Sequence, residues 1–252
     1  RNGACEVEIV KAEGRLRMLA EKTNNGTALA GTCGVGHTRW ATHGEPSETN
    51  AHPHCSDDHN VVGVHNGIIE NYQELKDKLL RKGYTFYSET DTEVAVKLVD
   101  YYYKKYEHTP VDAINHAMVR IRGSYALALM FRDHPEEFYA ARKDSPMILG
   151  VSDGESYLAS DVPAVLKYTR TVYYIGNMEI GCLKKGSVTF FNLDGDEIEK
   201  EPVEIRWNSE AAEKGGFEHF MMKEIHEQPR AVRETLNSVL KDGKIRLEEI
   251  GL

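Results

Sequence analysis

Residues 125–131, Tyr-Ala-Leu-Ala-Leu-Met-Phe, are apolar at every position, so a strand there must be covered on both faces. The chain therefore has to place one layer on each side of that strand. The residues that follow indicate how the neighbouring strands connect. Runs 147–151 and 157–159 flank Asp153-Gly154, and runs 188–192 and 197–203 flank Asp194-Gly195. Asp-Gly between such runs signals a hairpin, because the turn needs positive φ. The chain after Gly123 thus reads as mostly antiparallel β.

Upstream, short strand-like runs alternate with amphipathic helices. Residues 7–10 read as a strand and 16–22 as a short helix. The run 60–65 carries Val61, Val62 and Val64 and is expected to stop at a turn, Asn66-Gly67. A helix is predicted over about 70–81, with Tyr72, Leu75 and Leu79 on one face and Gly83 ending it. Residues 84–87 read as a strand. Thr90-Asp91-Thr92-Glu93 can cap a helix carrying Val94, Leu98, Tyr101 and Tyr102. Thr109-Pro110 opens another, whose apolar face is Val111, Ile114, Met118 and Ile121. Antiparallel strands with helices inserted mid-chain predict a layered α+β fold. Beyond residue 205 the pattern changes. Residues 206–216 are polar with Gly215-Gly216 as a hinge, 217–225 and 231–240 read as helical, and Pro229 lies between them.

Charge narrows the function classes. The 31 Lys+Arg against 40 Asp+Glu give a net charge of −9, which disfavours nucleic acid and anionic membranes as partners. No apolar run approaches the ~18–20 residues of a membrane span, and the opening Arg-Asn-Gly-Ala-Cys-Glu-Val-Glu has no signal-peptide core. Four scattered cysteines without a Cys-x-x-Cys pair favour a reducing, cytoplasmic compartment.

Three segments carry chemistry. In residues 37–54, Arg39 offers a charged fork suited to a carboxylate, with Thr42 and His43 beside it. In residues 65–71, the Asn66 amide and the Gly67 N–H form a donor pair that can converge on one oxygen, as an oxyanion hole requires. In residues 88–93, Asp91 falls in the first turn of a helix, where a carboxylate is favoured in any case. Each also has a plain structural reading: a solvated strand-end arginine, an ordinary Asn-Gly turn, a well-capped helix. His37, His43, His52, His54, His59 and His65 with Cys55 invite a metal reading, but lack the spacing of a compact site, so no metal is expected.

Taken together and in order, these segments resemble the glutaminase domains of the glucosamine-6-phosphate synthases, which are N-terminal-nucleophile, class II glutamine amidotransferases. The similarity runs from Gly34-Val35-Gly36-His37-Thr38-Arg39-Trp40 to His226-Glu227-Gln228-Pro229 and includes Trp40-Ala41-Thr42-His43-Gly44-Glu45-Pro46-Ser47. It implies a four-layer αββα sandwich of antiparallel sheets and hydrolysis of L-glutamine to glutamate without a cofactor. It further implies that Arg39 holds the α-carboxylate, Asp91 the α-ammonium, and Asn66 with Gly67 the oxyanion. Thr42 and His43 would complete the pocket and Trp40 would shut it or gate the ammonia route. The implied partners are glutamine or glutamate and the sugar-isomerase domain of the same polypeptide, whose acceptor is fructose 6-phosphate. The full-length enzyme would be a homodimer.

The resemblance implies three parts: residues 1–205 as the glutaminase domain without its nucleophile segment, 206–230 as linker, and 231–252 as the start of the isomerase domain. Members of the family begin with a cysteine whose thiol attacks the amide, with the free α-amine as its base. Here residue 1 is Arg1, and none of Cys5, Cys33, Cys55 or Cys182 matches that position. The 252 residues alone are thus expected to lack glutaminase activity. The competing expectation is a non-catalytic module that binds glutamine or glutamate.

Overall fold

A computed structural model describes residues 7–106, 109–206, 214–241 and 244–245. The chain divides into two compact units, Arg1–Ile205 and Arg206–Leu252.

The first unit is built on two antiparallel sheets. The larger contains β1 (His54–Cys55), β2 (Val61–Ile69), β3 (Gly123–Phe131), β4 (Phe138–Lys143), β8 (Glu179–Lys184), β9 (Ser187–Phe191) and β10 (Glu197–Ile198), in that order. The smaller runs β11 (Val203–Glu204), β7 (Thr171–Tyr174), β5 (Ile148–Ser152), β6 (Glu155–Ala159). The all-apolar segment becomes β3, in the interior of the larger sheet. Its period of two splits its side chains between two cores. Tyr125, Leu127, Leu129 and Phe131 face α2 (Tyr72–Leu80), α3 (Asp91–Lys105) and α4 (Pro110–Arg120). Ala126, Ala128 and Met130 face the smaller sheet, where they meet Leu149 of β5. The outer face of the smaller sheet is covered by Val162, Val165 and Leu166 from a run of turns. The fold is α+β, with two sheets face to face between outer covers.

Both Asp-Gly hairpins form, joining β5 to β6 and β9 to β10. The helices start where capping places them. The Thr90 side chain accepts from the Glu93 N–H at the head of α3, and Pro110 occupies the first turn of α4. α1 (Leu16–Lys22) also forms.

Several expectations need correction. Asn66-Gly67 is not a turn: β2 runs on to Ile69 and stays paired with β3 as far as Ile69 opposite Gly123. Gly67 accommodates the kink inside the ladder with φ +116, a region open to glycine. Residues 84–87 are extended but join no ladder, because side chains satisfy their backbone. Asp57 accepts from Thr85 N–H, Glu93 accepts from Tyr87 N–H, and Lys97 donates to Thr85 C=O. Residues 7–10 and the stretch leading to Arg39 likewise form no strand; Val7, Cys33 and Val35 pack against the core between the sheets.

In the second unit the two predicted helical stretches are one helix, α5 (Phe220–Val239), which continues through Pro229. The ring holds a helical φ, so the loss of one N–H does not end the helix. No helix among the described residues is long and apolar enough to cross a membrane.

Candidate active site

Where β2 ends, the N-terminus of α3 and the loop that begins at His37 close around a pocket of about 320 Å³. All seven residues singled out in the sequence line it: Arg39, Trp40, Thr42, His43, Asn66, Gly67 and Asp91.

Asp91 is buried at the first turn of α3, where the helix dipole favours its charge. Its Oδ2 accepts the Ile69 N–H at 2.9 Å and lies 3.6 Å from His43 Nδ1, while Oδ1 lies 4.0 Å from His65 Nδ1. The ladder of β2 thus anchors one carboxylate oxygen. Arg39 lines the same pocket as Asp91. Its guanidinium donates from Nη1 to the Glu45 carbonyl at 3.0 Å, and from Nη2 to the carbonyls of Gly44 at 2.9 Å and of His43. Those bonds shape the loop around the cation. Burial lowers the Arg39 pKa and the nearby Asp91 charge opposes that effect, and the two side chains line one pocket. Trp40 stands at the rim with 93% of its surface exposed, a large apolar ring free to lie over an occupant.

Gly67 admits no side chain. A Cβ there would stand 2.1 Å from the Ser124 carbonyl oxygen. Beside it, Asn66 is held by His37, whose Nε2 lies 2.6 Å from Asn66 Oδ1.

His37, His52, His65 and Thr92 also line the pocket, and reading residue types did not single them out as working residues. The histidines stood in the sequence only as a rejected metal cluster. Among the described residues no group of three or more His, Cys, Asp and Glu is arranged to hold a metal ion. Burial lowers the pKa of His37, of His65, of His52 to about 2 and of His54 to about 3, with neighbouring histidines and Arg39 reinforcing the effect at His52. His37, His52, His54 and His65 are therefore neutral near pH 7.

No described cysteine lines this pocket. Cys55 and Cys182 are buried, and burial raises both thiols, Cys182 to about 11. Cys33 lines a separate pocket of about 310 Å³ with Val35, Pro53, Val62 and Met130.

Residues 37–167 match the family described as "Glutamine amidotransferase domain". Among curated proteins, the chain is 50% identical over 247 residues to a glutamine–fructose-6-phosphate aminotransferase (isomerizing) of Caldanaerobacter subterraneus subsp. tengcongensis. It is 48% identical over 248 residues to the protein of the same name from Clostridium acetobutylicum. Each alignment covers 98% of this chain and 40% of the relative, so the chain spans about two-fifths of their length. Among solved structures, the glutamine phosphoribosylpyrophosphate amidotransferase of B. subtilis, complexed with ADP and GMP, superposes with a TM-score of 0.51 at 23% identity. That match covers 64% of this chain and 35% of the other, and it bears on the fold alone.

Proposed function

Since the chain belongs to the glutamine amidotransferase domain family, we propose that it forms the glutaminase half of a glutamine–fructose-6-phosphate aminotransferase. That half releases ammonia from L-glutamine for the synthesis of glucosamine 6-phosphate. The observation that carries the reading is one pocket lined by a cation, a carboxylate and a paired set of amide donors.

In this reading the α-carboxylate of glutamine lies against the Arg39 cation, held by its charge and by a donor that the carbonyls of His43, Gly44 and Glu45 leave free. The α-ammonium meets Asp91 at Oδ1, the oxygen that the Ile69 N–H leaves free. Thr42 and His43 flank that end. The side-chain amide then extends toward Asn66 and Gly67, whose N–H groups take the negative charge that develops on its oxygen. Attack on the amide carbon belongs to the family's N-terminal cysteine thiol, and expulsion of ammonia leaves a thioester that water converts to glutamate. The ammonia passes to an isomerase part of the longer polypeptide, with fructose 6-phosphate as acceptor. A cytoplasmic location and a homodimeric whole enzyme belong to the same reading.

Calorimetric titration tests the pocket without turnover. L-glutamate and L-glutamine should bind one site, and R39K should weaken both about tenfold or more, because an ammonium cannot hold the His43, Gly44 and Glu45 carbonyls and still face the ligand as the guanidinium does. Equal affinity in R39K, or no binding to the parent chain, would sink the reading. A full-length polypeptide that binds glutamine yet releases no glutamate would favour the non-catalytic binding module.

A further inference from the structure

Four hydrogen bonds join His37, His52, His65, Thr92 and Asn66 into one chain, a fifth ties it to the Arg39 backbone N–H, and only one set of donors satisfies it. The Arg39 backbone N–H can only donate, and it points at His37 Nδ1 at 2.9 Å. His37 Nδ1 is therefore bare, and the proton of the neutral ring sits on Nε2. That N–H donates to Asn66 Oδ1 at 2.6 Å. His52 Nδ1 lies 2.9 Å from the same bare His37 nitrogen, so His52 is the donor there and its Nε2 has no proton. Thr92 Oγ1, 2.9 Å from that Nε2, gives its hydroxyl proton to it. The hydroxyl oxygen then accepts from His65 Nδ1 at 3.2 Å. His65 Nε2 is left as a bare acceptor, and it is buried with no partner.

Given the proposed glutaminase reaction, we propose that His37 is a positioning residue for the oxyanion hole, its Nε2–H fixing which way the Asn66 amide faces. With Oδ1 turned to His37, Asn66 Nδ2 is the end left for the substrate oxygen. The reverse orientation would set an N–H of Asn66 against the N–H of His37, two donors with no acceptor between them. The Arg39 backbone N–H excludes the other neutral tautomer, since a proton on His37 Nδ1 would face that donor, and the relay through His52, Thr92 and His65 is then satisfied in one direction. The lowered pKa of each histidine excludes the doubly protonated ring near pH 7. An Asn in a turn or a strand has no intrinsic preference for which end faces a ligand. Here the backbone of the Arg39 loop sets it through one imidazole.

The test uses the full-length polypeptide and compares glutamine hydrolysis in H37L, H37Q, N66A and H37L/N66A. Loss of one oxyanion donor costs roughly 10²–10³ in kcat, so N66A should fall in that range. H37L should lower kcat about 10- to 100-fold with little change in KM, because a misaligned donor acts only where charge develops. H37Q places an amide N–H near the position of Nε2 and should recover most of that loss. In the double variant H37L should add almost nothing to N66A, since both act through one amide. A further drop in the double variant, a KM effect with kcat unchanged, or H37L as fast as the parent would overturn the assignment. A parent with no glutaminase activity would instead defeat the functional reading. The tautomer is then read without turnover: ¹⁵N spectra of histidine-labelled chain should show His37 protonated at Nε2, and protonation at Nδ1 would overturn it.

Discussion

Gly67 shows how far a single hydrogen atom matters at this site. Its φ of +116 and the 2.1 Å gap to the Ser124 carbonyl mean that G67A carries both backbone strain and a backbone clash. Strain of this kind costs about 1–3 kcal/mol and overpacking a similar amount, so a loss of about 2–6 kcal/mol is expected. Gly83 provides the comparison: its φ is +90, yet nothing lies within 4 Å of an added Cβ. G83A should therefore cost only the strain, about 1 kcal/mol. Urea unfolding of both variants separates the two contributions, and equal losses would contradict the clash. Arg39, the Asn66-Gly67 pair and Asp91 were legible in the sequence because each residue type carries its chemistry with it. His37, His52 and Thr92 were not. Their importance lies in which nitrogen bears a proton, and that is set by distances between residues 15 to 40 positions apart.

Among the elements, the legible ones announce themselves by local chemistry. Asp153-Gly154 makes its hairpin, Thr90 caps α3, and β3 has to be interior. Residues 84–87 were misread because extended backbone carries no sign of what will pair with it. Here the partners are side chains, and Lys97 is central among them. It is buried on α3 with Nζ 2.6 Å from Glu93 and 2.8 Å from Asp57, and it also donates to the Thr85 carbonyl. K97M would keep the volume and leave the Glu93 carboxylate buried without its cation. Breaking a buried pair from one side costs about 3–5 kcal/mol. Urea unfolding should show a loss of that size, and hydrogen exchange at Tyr87 and Ser88 should rise as their link to α3 loosens. A loss below about 1 kcal/mol would show that backbone donors alone satisfy Glu93, which already accepts from the N–H groups of both residues.

At the scale of the whole molecule, the buried neutral histidines tie stability to pH. In the unfolded chain each imidazole takes a proton near pH 6.5. In the folded chain His52 does so only near 2 and His54 near 3, with His37 and His65 also lowered. Below about 6.5 the unfolded state therefore binds more protons, and stability falls as pH falls. Each such histidine contributes up to about 1.4 kcal/mol per pH unit across that window. The carboxylates act later. Asp58, held down to about 2 by Lys104 and the Ser56 hydroxyl despite its partial burial, gives up its contribution only once pH drops below about 4. Acid loss should come in two stages, the first between about pH 6.5 and 5, above the ordinary carboxylate range. Removing one buried imidazole should flatten that first stage. In H54N the slope of unfolding free energy between pH 6.5 and 5 should shrink by about one histidine's share, even if the variant is less stable at pH 8. An unchanged slope would mean that His54 is already protonated in the fold. It would then be a donor to both Tyr87 and Thr90, whose oxygens lie 3.1 Å from its two nitrogens.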